Sequence, residues 1–216
     1  MDGLLPHATA KNLVRDEVLW RTGAPTTHFS IIVRGLLKIV RPLANGREAI
    51  MGLFGPRESI GDAALIQGNA YPASAVVCSE TAIVARIPRE VVLAEMERWP
   101  GLGISMNRAI AERVQSLQAK VQILSAGGVD ARLATLLLDL GERFGDQFED
   151  DRIVIPLQLS RQELANLVST TLETTIRVMS RWQKAGWVET NAEGFVLCNP
   201  EALREASCTV IASRNG

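Results

Sequence analysis

The sequence predicts an α+β protein: an N-terminal antiparallel β-barrel of the double-stranded β-helix or jelly-roll type, a long helix, and a C-terminal winged helix-turn-helix. Three observations support this expectation. From about Val14 to Pro88, short apolar runs separated by Gly, Pro and Asn recur roughly every 8 to 12 residues, as in a sandwich or barrel of short strands. From Leu102 to Ser125 neither Gly nor Pro interrupts the chain after Gly103, and apolar residues fall at heptad spacing. Beyond Gly127-Gly128 come short helices and then a small hairpin. The 216 residues suffice for two cores, and 47% hydrophobic with 22% charged residues argues against a disordered chain.

Taken in order, the strand candidates are Ser30-Ile31-Ile32-Val33, Leu36-Leu37-Lys38-Ile39-Val40, Ala49-Ile50-Met51-Gly52-Leu53-Phe54, Ala75-Val76-Val77-Cys78 and Ala82-Ile83-Val84-Ala85-Arg86-Ile87. Asn45-Gly46 sits between two of them, and both residues tolerate the positive φ of a type I′ hairpin turn. The strand signal stops at Pro88, and residues 1–101 are the expected barrel domain. In the connector helix, residues 102–126, Ile110, Val114, Leu117, Val121 and Leu124 are spaced four, three, four and three, with Arg108, Arg113, Gln115 and Gln118 on the other faces. Such a seam needs apolar cover, either a partner helix in a dimer or the chain's own barrel. Gly127-Gly128 ends the helix as a flexible joint, and the third domain spans 127–216. There Asp130 opens a helix running through Leu140, and Glu149-Asp150-Asp151 reads as a solvated loop. Ile153-Val154-Ile155 and Leu157-Gln158-Leu159 read as a short strand pair flanking Pro156. Helices over Arg161 to Val168 and about Leu172 to Ala185 precede two strands, Gly186 to Thr190 and Phe195 to Cys198, joined by a turn at Asn191 to Gly194.

Composition narrows the function. Lys plus Arg number 23 against 24 Asp plus Glu, so overall charge points to no polyanionic partner. Aromatic residues are only 5%, against a stacking platform for single-stranded nucleic acid. Cys78, Cys198 and Cys208 form no CxxC pair and have no His nearby, which reads as reduced thiols in a cytosol rather than metal ligands. The start, Met1-Asp2-Gly3, has no basic segment followed by an apolar run, and no stretch approaches the roughly 18 uncharged apolar residues of a spanning helix. Secretion and membrane insertion are therefore disfavoured, and a cytoplasmic location is expected. Catalysis is disfavoured too: both His residues stand far from any nucleophile pattern, no Gly-rich phosphate loop carries a Lys, and no carboxylates pair at a catalytic spacing.

Ser160-Arg161-Gln162-Glu163 fits a capping box, in which the Ser hydroxyl accepts from the Glu163 amide and the Glu carboxylate returns to the Ser160 amide. The helix it starts has an apolar side of Leu164, Ala165, Leu167 and Val168. Ser169-Thr170-Thr171 breaks it, and Thr171 can cap the next helix. Helices joined so closely must cross steeply. On the second, Ile176 and Met179, with Leu172 and Trp182, are expected inside, leaving Glu173, Thr174, Arg177, Arg181 and Lys184 outside. Glu173 and Arg177 share one face near the N-terminus, the end a recognition helix presents to base edges. Arg can donate both forks to guanine O6 and N7, and Glu can accept from cytosine N4, so the pair suits a G·C step. Taken alone, such a pair is more often an ordinary helix salt bridge, worth about 0.2–0.5 kcal/mol against about 1–3 kcal/mol for a base contact.

Arg161-Gln162-Glu163-Leu164-Ala165 through Leu172-Glu173-Thr174-Thr175-Ile176-Arg177 resembles the helix-turn-helix signature of the Crp/Fnr family of transcription regulators. Phe29 to Ile39 is similar to the glycine-punctuated strands of that family's cyclic-nucleotide-binding-like barrel, and Gly61-Asp62-Ala63-Ala64-Leu65 resembles the start of its phosphate-binding segment. The resemblance covers nearly the whole chain. It implies a homodimeric, sequence-specific DNA-binding regulator that contacts RNA polymerase, dimerised through Ile110, Val114, Leu117, Val121 and Leu124. It also implies Arg177 on guanine, Glu173 on the opposing cytosine, and Ser160, Arg161, Gln162, Thr171, Thr174, Arg181 and Lys184 on phosphates. Phosphate contacts fix register; base contacts select sequence. Leu172 stands where the cyclic AMP receptor has a further base-contacting Arg, and Ile176 where oxygen-sensing relatives have Ser. The implied target is a palindrome with a TGA-like core in each half-site and unknown outer bases.

Residues 127–216 carry nine Lys plus Arg against thirteen Asp plus Glu, a formal −4, whereas residues 158–187 carry four against two, a formal +2. DNA binding is thus expected from a local patch doubled by dimerisation, with a moderate salt slope. The resemblance implies an effector pocket at Gly61, Asp62, Ser74, Leu117 and Gln118. A cyclic phosphate needs an Arg beside it, because a buried unpaired phosphate is costly. Where nucleotide-binding relatives have Arg-Ser or Arg-Thr, this chain reads Tyr71-Pro72-Ala73-Ser74-Ala75, which disfavours cyclic AMP. An iron–sulfur cluster is disfavoured because the N-terminal cysteine cluster of such relatives is absent and Ala85 occupies the barrel cysteine position. Haem, with His7 or His28 as axial ligand, competes with the commoner reading of a lone His as a filler, and the effector stays unidentified. A rival of another class is a ligand-binding regulatory subunit that docks a protein partner without binding DNA.

Overall fold

Eight short strands with alternating burial build the first of two structural units, residues 1–116; the second is residues 117–216. The computed structural model describes residues 4–43, 48–125, 127–148, 151–192 and 194–208 and, of residues 112, 116, 119 and 120, the backbone only. The strands are β1 (Thr9–Val14), β2 (Val18–Trp20), β3 (His28–Arg34), β4 (Leu37–Pro42), β5 (Glu48–Phe54), β6 (Ser59–Ile60), β7 (Ser74–Val77) and β8 (Thr81–Pro88). Helix α1 (Asp62–Gln67) lies between β6 and β7, and α2 (Arg89–Arg98) and α3 (Pro100–Ser125) follow β8. Two antiparallel sheets form, in the orders β1-β8-β3-β6 and β2-β7-β4-β5. They face each other: Leu13, Ile32 and Val84 of one pack with Leu19, Leu37 and Val77 of the other. A second cluster joins Phe29 and Ile87 to Leu65, Val92 and Met106 of the three helices.

In the barrel unit each predicted apolar run coincides with a strand, with Leu36 and Cys78 just outside β4 and β7. Three strands lacked a signal: β2 and β6 are very short, and β1 buries only Leu13 of its six residues. Asn45-Gly46 lies outside the described residues, while the strands it was expected to join pair from Leu37 with Phe54 to Pro42 with Glu48. Gly35, between β3 and β4, has φ +81°, and a Cβ there would run into the Thr81 carbonyl and Ala82, so the turn requires glycine.

The second unit contains α4 (Val129–Phe144), β9 (Asp146–Gln147), β10 (Ile153–Ile155), α5 (Arg161–Leu167), α6 (Leu172–Lys184), β11 (Val188–Thr190), β12 (Phe195–Leu197) and α7 (Pro200–Cys208). Its sheet runs β11-β12-β10-β9 over a core that includes Leu133, Leu137, Leu164, Trp182 and Phe195. Here the expected pairing needs correction: Leu157-Gln158-Leu159 is not a strand, and β10 pairs instead with β12 and β9. Pro156 has no N–H for a ladder, and the Leu157 amide turns back to the Ile155 carbonyl at 2.7 Å. Leu157 and Leu159 drop into the core. In the acidic loop, Glu149 and Asp150 lie outside the described residues, and Asp151 is exposed. Helix α7, which packs on α4, had no counterpart in the sequence reading.

Candidate nucleic-acid interface

The capping box at α5 forms as the spacing requires. The Glu163 amide donates to Ser160 Oγ at 3.1 Å, and the Ser160 amide donates to Glu163 Oε2 at 2.7 Å. Four residues, 168–171, separate α5 from α6. Ser169 takes the left-handed conformation, φ +53°, and the Thr170 amide donates to the Ala165 carbonyl at 2.9 Å, the six-to-one bond of a Schellman motif made without glycine. Thr171 Oγ1 then accepts from the Thr174 amide at 3.2 Å and starts α6. Two local caps and one strained residue therefore set the crossing of the helix pair.

Helix α6 buries Thr175, Val178, Met179 and Trp182 and exposes Glu173 and Arg177. Glu173 and Arg177 do not pair with each other, nor with any other charge among the described residues. The structure corrects the inward set: Leu172 is 40% exposed and Ile176 45%. Residues 175, 178, 179 and 182 already complete a 3.6-residue stripe. Thr175 fits it because its hydroxyl donates to the Thr171 carbonyl at 3.1 Å, and Ile176 lies about 100° further round the axis.

Ser160, Gln162, Thr171 and Lys184 are exposed, and Arg161 and Thr174 are half-buried. Arg161 donates to Thr190 Oγ1 at 2.9 Å and lies 5.9 Å from the Phe195 ring centroid, tying α5 to the wing strands. Burial lowers its pKa from the usual guanidinium value. Gln162 donates to Asn166 at 2.9 Å, and Arg181 forms an ion pair with Asp130 on the first turn of α4. Along α3, Ile110, Val114, Leu117, Val121 and Leu124 are between 38% and 62% exposed in the single chain, an uncovered apolar seam.

In the barrel unit, Gly61 precedes α1 at φ +81°, where a Cβ would meet the Tyr71 ring at 2.8 Å and Trp20 at 3.4 Å. Those rings stack with centroids 4.2 Å apart. Burial raises the Tyr71 pKa above the usual phenol value. Asp62 is 1% exposed. Its Oδ2 accepts from Ser59 Oγ at 2.9 Å and from Arg113 of α3 at 3.0 Å, while Oδ1 is buried without a hydrogen-bond partner among the described residues. Arg113 also donates to the Ser59 carbonyl and lies 5.0 Å from the Phe54 centroid. Gly61 and Asp62 thus come together with Arg113, whereas Ser74 Oγ accepts from the Thr22 amide at 2.9 Å, and Leu117 and Gln118 are exposed on α3. His7 is exposed. His28 Nδ1 accepts from Arg86 at 2.9 Å and from Thr27 Oγ1 at 2.8 Å, and burial first, then Arg86, lowers its pKa against the opposing pull of Glu90. Cys78 is buried, Cys198 half-buried and Cys208 exposed, and none of the three forms a disulfide among the described residues.

Residues 10–98 match the cyclic nucleotide-binding domain and residues 131–206 the Crp-like helix-turn-helix domain. The transcriptional activator protein anr of Pseudomonas aeruginosa is 31% identical over 185 residues, 84% of this chain and 72% of that protein. This chain belongs to the Crp/Fnr family of transcription regulators. Also similar is the CRP-like cAMP-activated global transcriptional regulator of Mycobacterium tuberculosis, 25% identical over 189 residues, 88% of this chain and 84% of that one. The solved structure of FixK2 from Bradyrhizobium japonicum shares the fold, with a TM-score of 0.77 at 20% identity over 96% of this chain and 99% of that one. Membership of the Crp/Fnr family makes the α5–α6 pair a DNA-binding module and disfavours the protein-docking rival. No helix among the described residues is long and apolar enough to cross a membrane.

Two features of this Crp/Fnr regulator escaped the sequence reading. Arg113 is the partner of Asp62, and its position one heptad after the buried Met106 was the available signal. The exposure of Leu172 and Ile176 had no such signal, because an apolar pair beside an apolar stripe reads as its extension.

Proposed function

We propose that the protein is a homodimer that binds a palindromic site with a TGA-like core in each half-site and answers to an effector other than cyclic AMP. Arg177 donates to guanine O6 and N7, and Glu173 accepts from N4 of the opposing cytosine. Ser160, Arg161, Gln162, Thr171, Thr174, Arg181 and Lys184 hold phosphates, with Arg181 the weakest because Asp130 competes for it. The observation that carries this reading is that Glu173 and Arg177 stand exposed and unpaired on a helix positioned by its own cap. A salt bridge between them would have satisfied each with the other.

In this reading the exposed seam of the connector, residues 102–126, packs against its copy in the partner chain. It joins a sensor domain, 1–101, to a DNA-binding domain, 127–216. Effector occupancy shifts the seam and the Gly127-Gly128 joint, bringing the two recognition helices about one DNA turn apart, roughly 34–36 Å. Against cyclic AMP stands the state of Arg113: it is already held by Asp62, so a phosphate there would meet a buried carboxylate with no free guanidinium. RNA polymerase as partner and a cytoplasmic setting belong to the same reading. A gel shift tests it. On a palindrome with TGA-containing arms, Arg177→Ala should lose about 5- to 150-fold in affinity, the equivalent of about 1–3 kcal/mol, with little change on random DNA. Equal loss on both removes Arg177 as a base reader.

A further inference from the structure

We infer that Asp130 is a built-in competitor of DNA: its carboxylate holds Arg181 of the recognition helix in the free protein, and a phosphate that takes Arg181 must displace it. The inference rests on the DNA-binding reading above and adds to it a residue outside the helix pair that sets affinity and salt dependence.

Asp130 stands in the first turn of α4, just after the Gly128 cap, and Arg181 in the last turn of α6, 51 residues further along the chain. Their side chains form an ion pair. Of the four cations among residues 158–187, Arg161, Arg177, Arg181 and Lys184, Arg181 alone pairs with a carboxylate among the described residues. That segment carries four basic against two acidic residues, a formal +2. The fold lays Asp130 onto it, which makes four against three, a formal +1 in each protomer. The same turn of α4 also reaches the α5–α6 turn without a counter-charge, since Arg132 donates to the Ser169 carbonyl at 3.5 Å.

Folding gains little from the pair. The Arg181 and Asp130 side chains are 58% and 45% exposed, and an ion pair so open to water is weak and screened by salt. An acid in the first turn of a helix favours the free amides there, but that role needs no guanidinium. For DNA the pair has a larger effect. A phosphate offers Arg181 the same charged, forked hydrogen bonds that the carboxylate offers. A free cation that neutralises a phosphate releases one condensed counterion. When Arg181 leaves Asp130 for a phosphate, the exposed carboxylate gathers a cation of its own, so the exchange releases almost no net ions. The carboxylate left near the phosphate also repels it.

Asp130→Asn removes the charge and keeps the shape. Fluorescence anisotropy of the full-length protein on a duplex with TGA-containing arms, over a series of salt concentrations, measures the result. Affinity should rise about 2- to 30-fold, the square of what one exposed ion pair is worth, because a dimer frees two arginines. The plot of log affinity against log salt should steepen by about 1.8, or about 0.9 for each of the two phosphates. Both changes should vanish in an Arg181→Ala background. Asp130→Ser repeats the measurement with a second neutral side chain, and circular dichroism checks the folding of each variant. An unchanged slope overturns the inference, as does a gain of equal size without Arg181, which marks a general charge effect. Weaker binding by both folded neutral variants also overturns it and makes Asp130 a structural residue. If Arg177→Ala loses guanine dependence while Asp130→Asn changes neither affinity nor slope, this inference fails and the base-reader assignment stands. A wild-type protein that binds no DNA overturns both.

Discussion

Removing Arg113 should harm the barrel unit more than removing its partner, although both substitutions break the same ion pair. The side chain of Asp62 is 2% exposed and that of Arg113 32%. In Arg113→Met the aliphatic stem is kept, but a carboxylate remains buried with one hydroxyl donor, Ser59, and one oxygen that already lacks a partner. Stranding a buried charge costs about 3–5 kcal/mol, and the retained Ser59 bond places this case near about 3 kcal/mol. In Asp62→Asn the Ser59 hydrogen bond survives. The guanidinium keeps the Ser59 carbonyl and the Phe54 face and can reach water, so about 1 kcal/mol is expected, the scale of one lost hydrogen bond. The double variant should be more stable than Arg113→Met alone, because it leaves no charge buried. Urea unfolding of the full chain, with hydrogen exchange of peptides covering 59–67 and 100–116, measures all three proteins. The reasoning fails if Asp62→Asn is the more damaging single change, or if the double variant gains nothing over Arg113→Met.

Three further outcomes follow from other parts of the molecule. Val114→Glu with Val121→Glu places like charges on the exposed seam and should convert a dimer to a monomer in analytical ultracentrifugation, abolishing the specific gel shift; a dimer that persists removes the seam from that role. Because burial and Arg86 hold the His28 pKa below its ordinary 6.5, the unfolded chain takes up that proton first on acidification. Stability from His28 is therefore complete above pH 6.5 and declines as pH falls through the lowered value. Thermal midpoints between about pH 7.5 and 5 should fall less in His28→Gln than in the wild type, and parallel curves would contradict this. Ser169→Gly should stabilise the second unit by about 0.5 kcal/mol, the cost of a left-handed side-chain-bearing residue less the extra chain entropy of glycine. Ser169→Val should destabilise it by about 1–2 kcal/mol in the same urea titration, since a β-branched residue fits φ +53° poorly.

What could be read from the sequence was local. The short apolar runs of the barrel, the heptad spacing of Ile110 to Leu124, the Ser160–Glu163 capping box and the Glu173–Arg177 spacing each depend on residues within a turn or two, and each reappears in the structure. Tertiary structure decided the pairings between distant segments. Arg113 finds Asp62 across 51 residues, β10 takes β12 rather than the adjacent Leu157 to Leu159, and polar β1 is held as a strand by its partner β8. It also decided which edge of α6 faces the core. Hydrophobicity ranks Ile176 above Thr175 for burial, but the core accepts the smaller side chain whose hydroxyl has a carbonyl in reach, and leaves the isoleucine outside. A periodic pattern narrows a helix to a face a few residues wide; the packing partners, brought together only by the folded chain, choose among those residues by space and hydrogen-bond satisfaction.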